Sequence, residues 1–449
     1  MAASFPRLRV DELRAQLASK RSLVRLQKAI DDSQQATVGR LGLAGITLQR
    51  ENQRLYPRGA EAAHTLGYVN NDNLGVAGVE RWLDEQGRVD RPTLTNDVDG
   101  ASPPSCAGST ARCPAAQSGA LVLSLDARAQ KALYEELAAG LRKFSALAAA
   151  GLVMNVRTGE ILAMVSLSSF DPYDANAASS FARLNRVVGA THDIVPRAAT
   201  IAMGLESGKV ALNSTFDVHG PLQVEVVTIS ESGQTRLLTV PEIFTSASSN
   251  GLAQIALLVG ADYQRGFLDK LGLLHRVPIQ LPDSADPVVP TPWAQATTAL
   301  VALGRSLQIT PLHVAVATSA LTNGVFMIQP TVVKRSGDQT DALRPAVVGS
   351  DTSQKMRYMA RLNTEVGGAV SADVKGYYVG GISGTLGAFD GVDDRLRCFV
   401  GGIGAGVALG IRTEAAVSRD VPQDDGQFVF AQKPTVCRGT KRPRSYLRI

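Results

Sequence analysis

The stretch Leu152-Val-Met-Asn-Val-Arg-Thr-Gly-Glu-Ile-Leu-Ala-Met-Val-Ser166 decides the fold. Two apolar runs flank Arg157-Thr158-Gly159, a combination that predicts a β-hairpin with strands at 152–156 and 160–166. Just upstream, residues 120–125 read as a strand and 127–147 as a helix with an alanine- and leucine-rich face. Downstream, helical stretches are expected around 198–207, 240–260, 264–271, 297–303 and 311–323. Residues 375–386, 395–403 and 405–412 then read as three consecutive strands. Two strands, many helices and three further strands predict an α+β domain whose sheet is closed by both ends of the chain.

Ahead of this block, Val10, Leu13, Leu17, Leu23, Leu26 and Ile30 recur at near-helical spacing among charges, as in an amphipathic helix or helix pair. Residues 42–48 read as a short strand, and 59–66 as a helix that begins after Pro57. A stretch rich in Pro, Gly, Ser and Asp at 95–118 marks a boundary. The expected organisation is an N-terminal module over 1–95, a linker or insertion over 96–118, a larger domain over 119–430 and a basic tail over 431–449. The tail carries Arg438, Lys441, Arg442, Arg444 and Arg448, interrupted by Gly439 and Pro443, and reads as a solvated terminus.

Composition excludes several classes. With 449 residues, 45% hydrophobic and 19% charged, the chain is globular rather than disordered. A net charge of +5 over this length is too weak for a nucleic-acid module. The uncharged run 287–304 holds three prolines, so it is not a membrane span, and the opening Met1-Ala-Ala-Ser-Phe-Pro-Arg7 lacks the apolar core of a secretory signal. Neither a signal nor a membrane anchor is therefore read in the sequence. Five scattered histidines (64, 192, 219, 275 and 313) and the absence of His-Glu-x-x-His or paired Cys-x-x-Cys argue against a metal site. No phosphate loop, dinucleotide fingerprint or Gly-x-Ser-x-Gly elbow is present, so no cofactor is expected. Of the four cysteines, Cys106 and Cys113 flank a six-residue loop that could close as a disulfide in an oxidising compartment, with free thiols the alternative.

Several blocks, in order, resemble the class B penicillin-binding proteins, the septal and elongation D,D-transpeptidases of the bacterial cell wall. Arg54-Leu-Tyr-Pro57, Ala62-Ala-His-Thr-Leu-Gly-Tyr-Val69 and Gly78-Val-Glu80 are similar to their N-terminal pedestal, a dimerisation-type module. Leu121-Val-Leu-Ser-Leu-Asp126 with Gln130, the hairpin itself, Ser169-Phe-Asp-Pro172, Asn185-Arg186, Ser246-Ala-Ser-Ser-Asn250, Thr310-Pro-Leu312 and Asn323-Gly324 are similar to their transpeptidase domain. The resemblance spans roughly residues 20–415. It implies a central antiparallel sheet flanked by helices, a place on the periplasmic face of the inner membrane, and partners among division or elongation proteins.

In that family a Ser-x-x-Lys at a helix start supplies the nucleophile and a candidate base, a Ser-x-Asn relays protons and holds the peptide amide, and a Lys-Thr-Gly strand binds the substrate carboxylate. Here the first motif is missing. Counted from Asn185, the serine and lysine positions fall at Pro196 and Ala199; counted back from Leu205-Glu206, they fall at Ile194 and Arg197. No serine lies between Phe181 and Glu206, and none of the eleven lysines has a serine three residues before it. The second motif persists as Ser248-Ser249-Asn250. The third reads Gly381-Ile382-Ser383-Gly384-Thr385, with Ile382 where the lysine would stand. No catalytic residue is therefore assigned. Ser248, Asn250, Ser383, Gly384 and Thr385 are the expected remnants of a cleft. The chain reads as a pseudo-transpeptidase acting as a scaffold. The alternatives are a non-hydrolysing binder of stem peptide or β-lactam and, less favoured, an active enzyme with a relocated nucleophile. The pair His192-Asp193 reads as a surface-loop feature rather than a new base.

Overall fold

The structure is a computed structural model that describes residues 14, 18, 32–42, 45–46, 54–70, 72–86, 121–193, 197–231, 236–323, 326–335, 343–386, 395–403, 406–414, 427–430 and 434–438. The hairpin forms as expected, from strands β1 (Ala148–Asn155) and β2 (Ile161–Leu167). The Asn155 side chain accepts from the Arg157 and Thr158 amides, and Gly159 takes a φ of +72° at the turn's end. A Cβ on Gly159 would lie 2.3 Å from the Gln329 carbonyl oxygen, so both the backbone angle and the neighbour require glycine.

The three late strands are β9 (Val379–Leu386), β10 (Arg395–Ile403) and β11 (Gly406–Glu414). They complete an antiparallel five-stranded sheet in the order β2-β1-β11-β10-β9. Strand β1 pairs with β11 from Ala148 opposite Thr413 to Asn155 opposite Gly406, so the sheet joins sequence neighbours to residues some 250 positions away. Long-range closure of this kind carries a loop-entropy cost, which the buried faces must offset.

Both faces are covered. Helix α4 (Ala127–Lys143) puts Leu133 and Leu137 against Ala149, Ala163, Val165 and Leu167 on one face. Asp126 caps this helix, its carboxylate accepting from the Arg128 and Ala129 amides. On the other face Ala150, Leu152, Met154 and Met164 enter the main core, whose helical side comes mostly from α6 (Arg197–Glu206), α8 (Ser249–Val259) and α11 (Pro311–Thr322). Strand β1 is thus apolar on both sides, as a central strand between two layers must be. Full burial of each large side chain such as Leu152 contributes about 2 kcal/mol.

The remaining helices, in chain order, are α1 (Asp32–Leu41), α2 (Ala63–Leu66), α3 (Gly78–Glu85), α5 (Ser180–Arg183), α7 (Val240–Ser246), α9 (Ala261–Lys270), α10 (Gln295–Ala302) and α12 (Ser350–Val366). Short strands pair as β3 (Thr215–Asp217) with β6 (Leu237–Thr239), β4 (Leu222–Val224) with β5 (Val227–Ile229), and β7 (Phe326–Ile328) with β8 (Leu343–Ala346).

Some expectations need correction. Of residues 42–48 only 42, 45 and 46 are described, so the strand expected there lies largely outside the described residues. Of the strand expected at 120–125, the described residues 121–125 contribute only an isolated bridge, Leu123 to Val333, because the chain turns into the α4 cap at Asp126. The single helix expected at 240–260 is two, α7 and α8, broken where Ala247 adopts a left-handed φ of +58°. The basic tail is not wholly irregular, since Pro434–Arg438 forms strand β13, paired with β12 (Gln427–Phe430). The amphipathic residues of 10–30, the linker 96–118, and with it Cys106 and Cys113, lie outside the described residues.

Two compact units divide the chain, residues 1–55 with 90–108, and residues 56–89 with 109–449. The described part of the first contains α1. In the second, residues 56–86 run as a strap along β2 and the segment after it, whereas the sequence places them in the N-terminal module. The strap is held by a Tyr56, Ala63, Tyr68, Phe170 and Ala175 cluster. Its polar ties are Ser169 Oγ donating to the Ala60 carbonyl at 2.7 Å, the Tyr56 amide donating to the Tyr173 hydroxyl at 2.7 Å, and Asn185 Nδ2 donating to the His64 carbonyl at 3.2 Å.

His64 anchors the strap's centre. Its Nε2–H donates to the Ala182 carbonyl at 2.7 Å, and its ring meets Phe170 edge-on at 5.0 Å. Burial pushes its pKa from 6.5 down to about 4. Between those values the unfolded chain binds a proton that the folded chain refuses. Stability from this group is therefore present above pH 6.5 and is lost as pH falls toward 4, by up to about 3 kcal/mol. Urea unfolding between pH 7 and 4 should show this decline, and His64→Gln should flatten it. A profile unchanged by that substitution would refute the assignment.

Candidate functional site

The residues singled out in the sequence lie on three elements. Helix α6 starts at Arg197, where the resemblance would place the nucleophile helix. Its interior is apolar and closed: Ala199, one register's substitute for the lysine, is fully buried in the main core with Ala198, Ile201 and Ala202. Arg197, the other register's substitute, is half-buried at the helix start.

Ser248 and Asn250 sit at the start of α8, where Ser248 is the N-cap and its Oγ accepts from the Gly251 amide at 3.1 Å. The turn is tight at Gly251, where a Cβ would lie 2.6 Å from the Ile243 side chain and 3.1 Å from Ser248 Oγ and would force one of them to shift. Ser248 is 0% exposed and Asn250 2%, so neither offers an open surface. Their donors are used internally. Ser248 Oγ–H donates to Glu231 Oε2 at 2.7 Å, and the Asn250 amide donates to the same oxygen at 3.1 Å. Asn250 Nδ2 donates to the Gly220 carbonyl at 2.8 Å, while its Oδ1 accepts from Gln254 Nε2 at 2.7 Å.

Ser383, Gly384 and Thr385 lie on β9, the sheet's outer strand, opposite Phe399, Cys398 and Arg397 of β10. Ile382 packs against the main core instead of presenting a charge. Ser383 Oγ donates to the Gly368 carbonyl at 2.8 Å, and the Gly368 amide donates to the Thr245 carbonyl at 3.3 Å. Gly368 thereby ties β9 to α7, three residues before Ser248. The start of β9 is pinned by α12: Asn363 Nδ2 donates to the Gly381 carbonyl at 2.8 Å, and Thr364 Oγ1 to the Val379 carbonyl at 2.8 Å. Arg361 Nη1 gives the Val379 carbonyl a second bond at 3.0 Å, and its guanidinium is held by Asp373 at 2.6 Å and Glu365 at 2.7 Å. These α12 side chains cover the outer edge of β9 as far as Gly381.

The His192-Asp193 pair is not a free surface feature. His192 is half-buried and bridges to Ile309, and burial, with the Arg186 guanidinium nearby, pushes its pKa below the usual histidine value. Burial raises the Asp193 carboxyl, against the opposing pull of Arg305. Among the described residues there is no group of three or more side chains that could hold a metal ion. Likewise, no helix among them is long and apolar enough to cross a membrane.

The sequence located Ser248, Asn250 and Ser383 but missed Glu231, Gly220, Gly368 and Asn363. Glu231 meets Ser248 across a separation of 17 positions that includes β6 and α7, and no motif or periodicity links them. Asn363 reads as a polar helix residue, although it is 2% exposed and faces the strand.

The sequence profile of the penicillin binding protein transpeptidase domain matches residues 149–401. The "Probable peptidoglycan D,D-transpeptidase FtsI" of Caulobacter vibrioides is 33% identical over 78% of this chain and 56% of its own length. The "Probable peptidoglycan D,D-transpeptidase PenA" of Neisseria gonorrhoeae is 29% identical over 93% of this chain and 73% of its own. Thus the chain spans little more than half of the first relative. Among solved structures, penicillin binding protein 3 of Mycobacterium tuberculosis, complexed with aztreonam, superposes with a TM-score of 0.69 at 23% identity, covering 82% of this chain and 85% of that one.

Proposed function

The chain belongs to the penicillin-binding protein transpeptidase family, and from that premise we propose that it is a non-catalytic member, a scaffold in bacterial peptidoglycan synthesis. The observation that carries this reading is the absence of any Ser-x-x-Lys in all 449 residues. Acyl transfer in this family needs a serine nucleophile and a group to take its proton. Losing the nucleophile of such a cooperating set typically lowers kcat by about 10⁶, and the other members do not compensate.

The described geometry supports the same reading. The carboxylate-binding lysine is replaced by Ile382, which packs into the core. The surviving Ser248 hydroxyl has its proton committed to a carboxylate and no lysine beside it in the motif. These internal bonds weigh against a stem-peptide binder, because the donors that would hold the peptide are already paired. As a scaffold the chain would work at the periplasmic face of the inner membrane, among division or elongation proteins. The test is intact-mass measurement after exposure to benzylpenicillin, with an unmodified mass expected.

A further inference from the structure

The β4–β5 hairpin stands with both its feet on the Ser-x-Asn turn. Before the hairpin, the Gly220 carbonyl receives Asn250 Nδ2, and the Asp217 carbonyl receives Gln254 Nε2 at 2.7 Å. After it, the Glu231 carboxylate receives both the Ser248 hydroxyl and the Asn250 amide on one oxygen. The hairpin itself is packed down: Val224 and Ile229 are buried with Ala253 of α8 and Ala299 of α10. Its tip is fastened as well, since Glu225 Oε2 accepts from the Ala296 amide at 3.3 Å in the first turn of α10.

We propose that the Glu231 carboxylate is an internal ligand of the Ser248-x-Asn250 turn, an autoinhibitory contact whose oxygen occupies the place of a peptide amide's carbonyl oxygen. This rests on the non-catalytic reading and deepens it, because it explains how the motif persists without serving a substrate. The hydroxyl of Ser248 has one proton, and it is given to Glu231. Its Oγ already accepts from Gly251. A ligand can reach these donors only by displacing the carboxylate, whose two bonds from polar donors at 2.7 and 3.1 Å are charge-assisted. A helix start also favours the negative charge that Glu231 supplies. Neutral or truncated side chains at 231 lose that advantage, and the carbonyl of an external peptide amide then competes on better terms.

The experiment titrates the full chain with diacetyl-Lys-D-Ala-D-Ala and follows binding by calorimetry. The wild type should show no saturation at millimolar peptide. Glu231→Ala should bind at least about tenfold more tightly, and Glu231→Gln roughly threefold, in proportion to the hydrogen bonding removed. Adding Ser248→Ala to either variant should abolish the gain. Should Glu231→Ala fail to fold, the neutral and similarly shaped Glu231→Gln carries the test. Folded variants that bind no better than wild type would overturn the proposal, as would a wild type that binds as tightly as they do. A penicillin adduct on the wild type would instead overturn the non-catalytic reading and leave this contact standing, so the two failures are distinguishable.

Discussion

Gln130→Ala should destabilise the second unit by about 3 kcal/mol. Gln130 is 2% exposed on α4, and its amide is used at both ends. Nε2 donates to the Glu61 carbonyl at 2.7 Å and to the Met164 carbonyl at 2.7 Å, while Oε1 accepts from the Met164 amide at 2.8 Å. One side chain therefore serves the outer edge of β2 and the strap together. Truncation leaves three backbone groups without their partner, each worth about 1–3 kcal/mol when buried and unpaired, with partial relief from entering water. Gln130→Glu should fare no better, since a carboxylate would face two carbonyl oxygens. Urea unfolding followed by circular dichroism checks both variants, and a loss below about 1 kcal/mol would contradict this account.

Gly67→Ala should be at least as damaging, by about 4 kcal/mol, because strain and collision add. Gly67 follows α2 with a φ of +80°, and a Cβ there would lie 1.7 Å from the Ala77 carbonyl oxygen. Across from it Gly78, at φ +60°, would place a Cβ 2.6 Å from the Gly67 amide nitrogen. Neither neighbour is a flexible side-chain end, so the strap must lift. Lifting uncovers the buried His64 and frees the backbone around the already exposed Arg58 and Arg81, and limited trypsin digestion should cut Gly67→Ala within residues 56–86 at protease levels that spare the wild type. Equal protection of the two proteins would refute the expected loss.

Much of this fold was legible because its signals are local. The β1–β2 hairpin announces itself through two apolar runs and a Thr-Gly turn, and β9 to β11 through consecutive extended runs. Other elements were hidden for physical reasons. Helix α12 buries Thr352, Ser353, Asn363 and Thr364 beside Met356 and Met359, so its inward face is half polar and shows no apolar stripe. The break between α7 and α8 carries no glycine or proline; Ala247 takes the left-handed conformation there and Ser248 starts the next helix. Strands β3 to β6 are three residues each, too short for period-two alternation to register.

The candidate site was legible as positions and not as contacts. Ser248 and Asn250 could be found by their spacing, and the missing Ser-x-x-Lys by counting lysines. That the motif is closed by Glu231 depends on a hairpin folding back over a helix start, and that α12 holds β9 depends on packing between elements distant in sequence. Retained motif residues were expected to line a cleft. In the fold, Ser248 and Asn250 are buried and internally bonded, and among the cleft-remnant residues Ser383 links β9 to α7 through Gly368.

The central claim, that this transpeptidase-family chain forms no acyl-enzyme, is tested most directly by incubating it with excess benzylpenicillin and measuring its intact mass. Ser248 and Ser383, the serines kept in the second and third motifs, are engaged with Glu231 and the Gly368 carbonyl, and neither has a lysine beside it in its motif. The account predicts the unmodified mass at every time point, with Ser248→Ala and Ser383→Ala indistinguishable from wild type. A stoichiometric adduct that one serine substitution removes would contradict it.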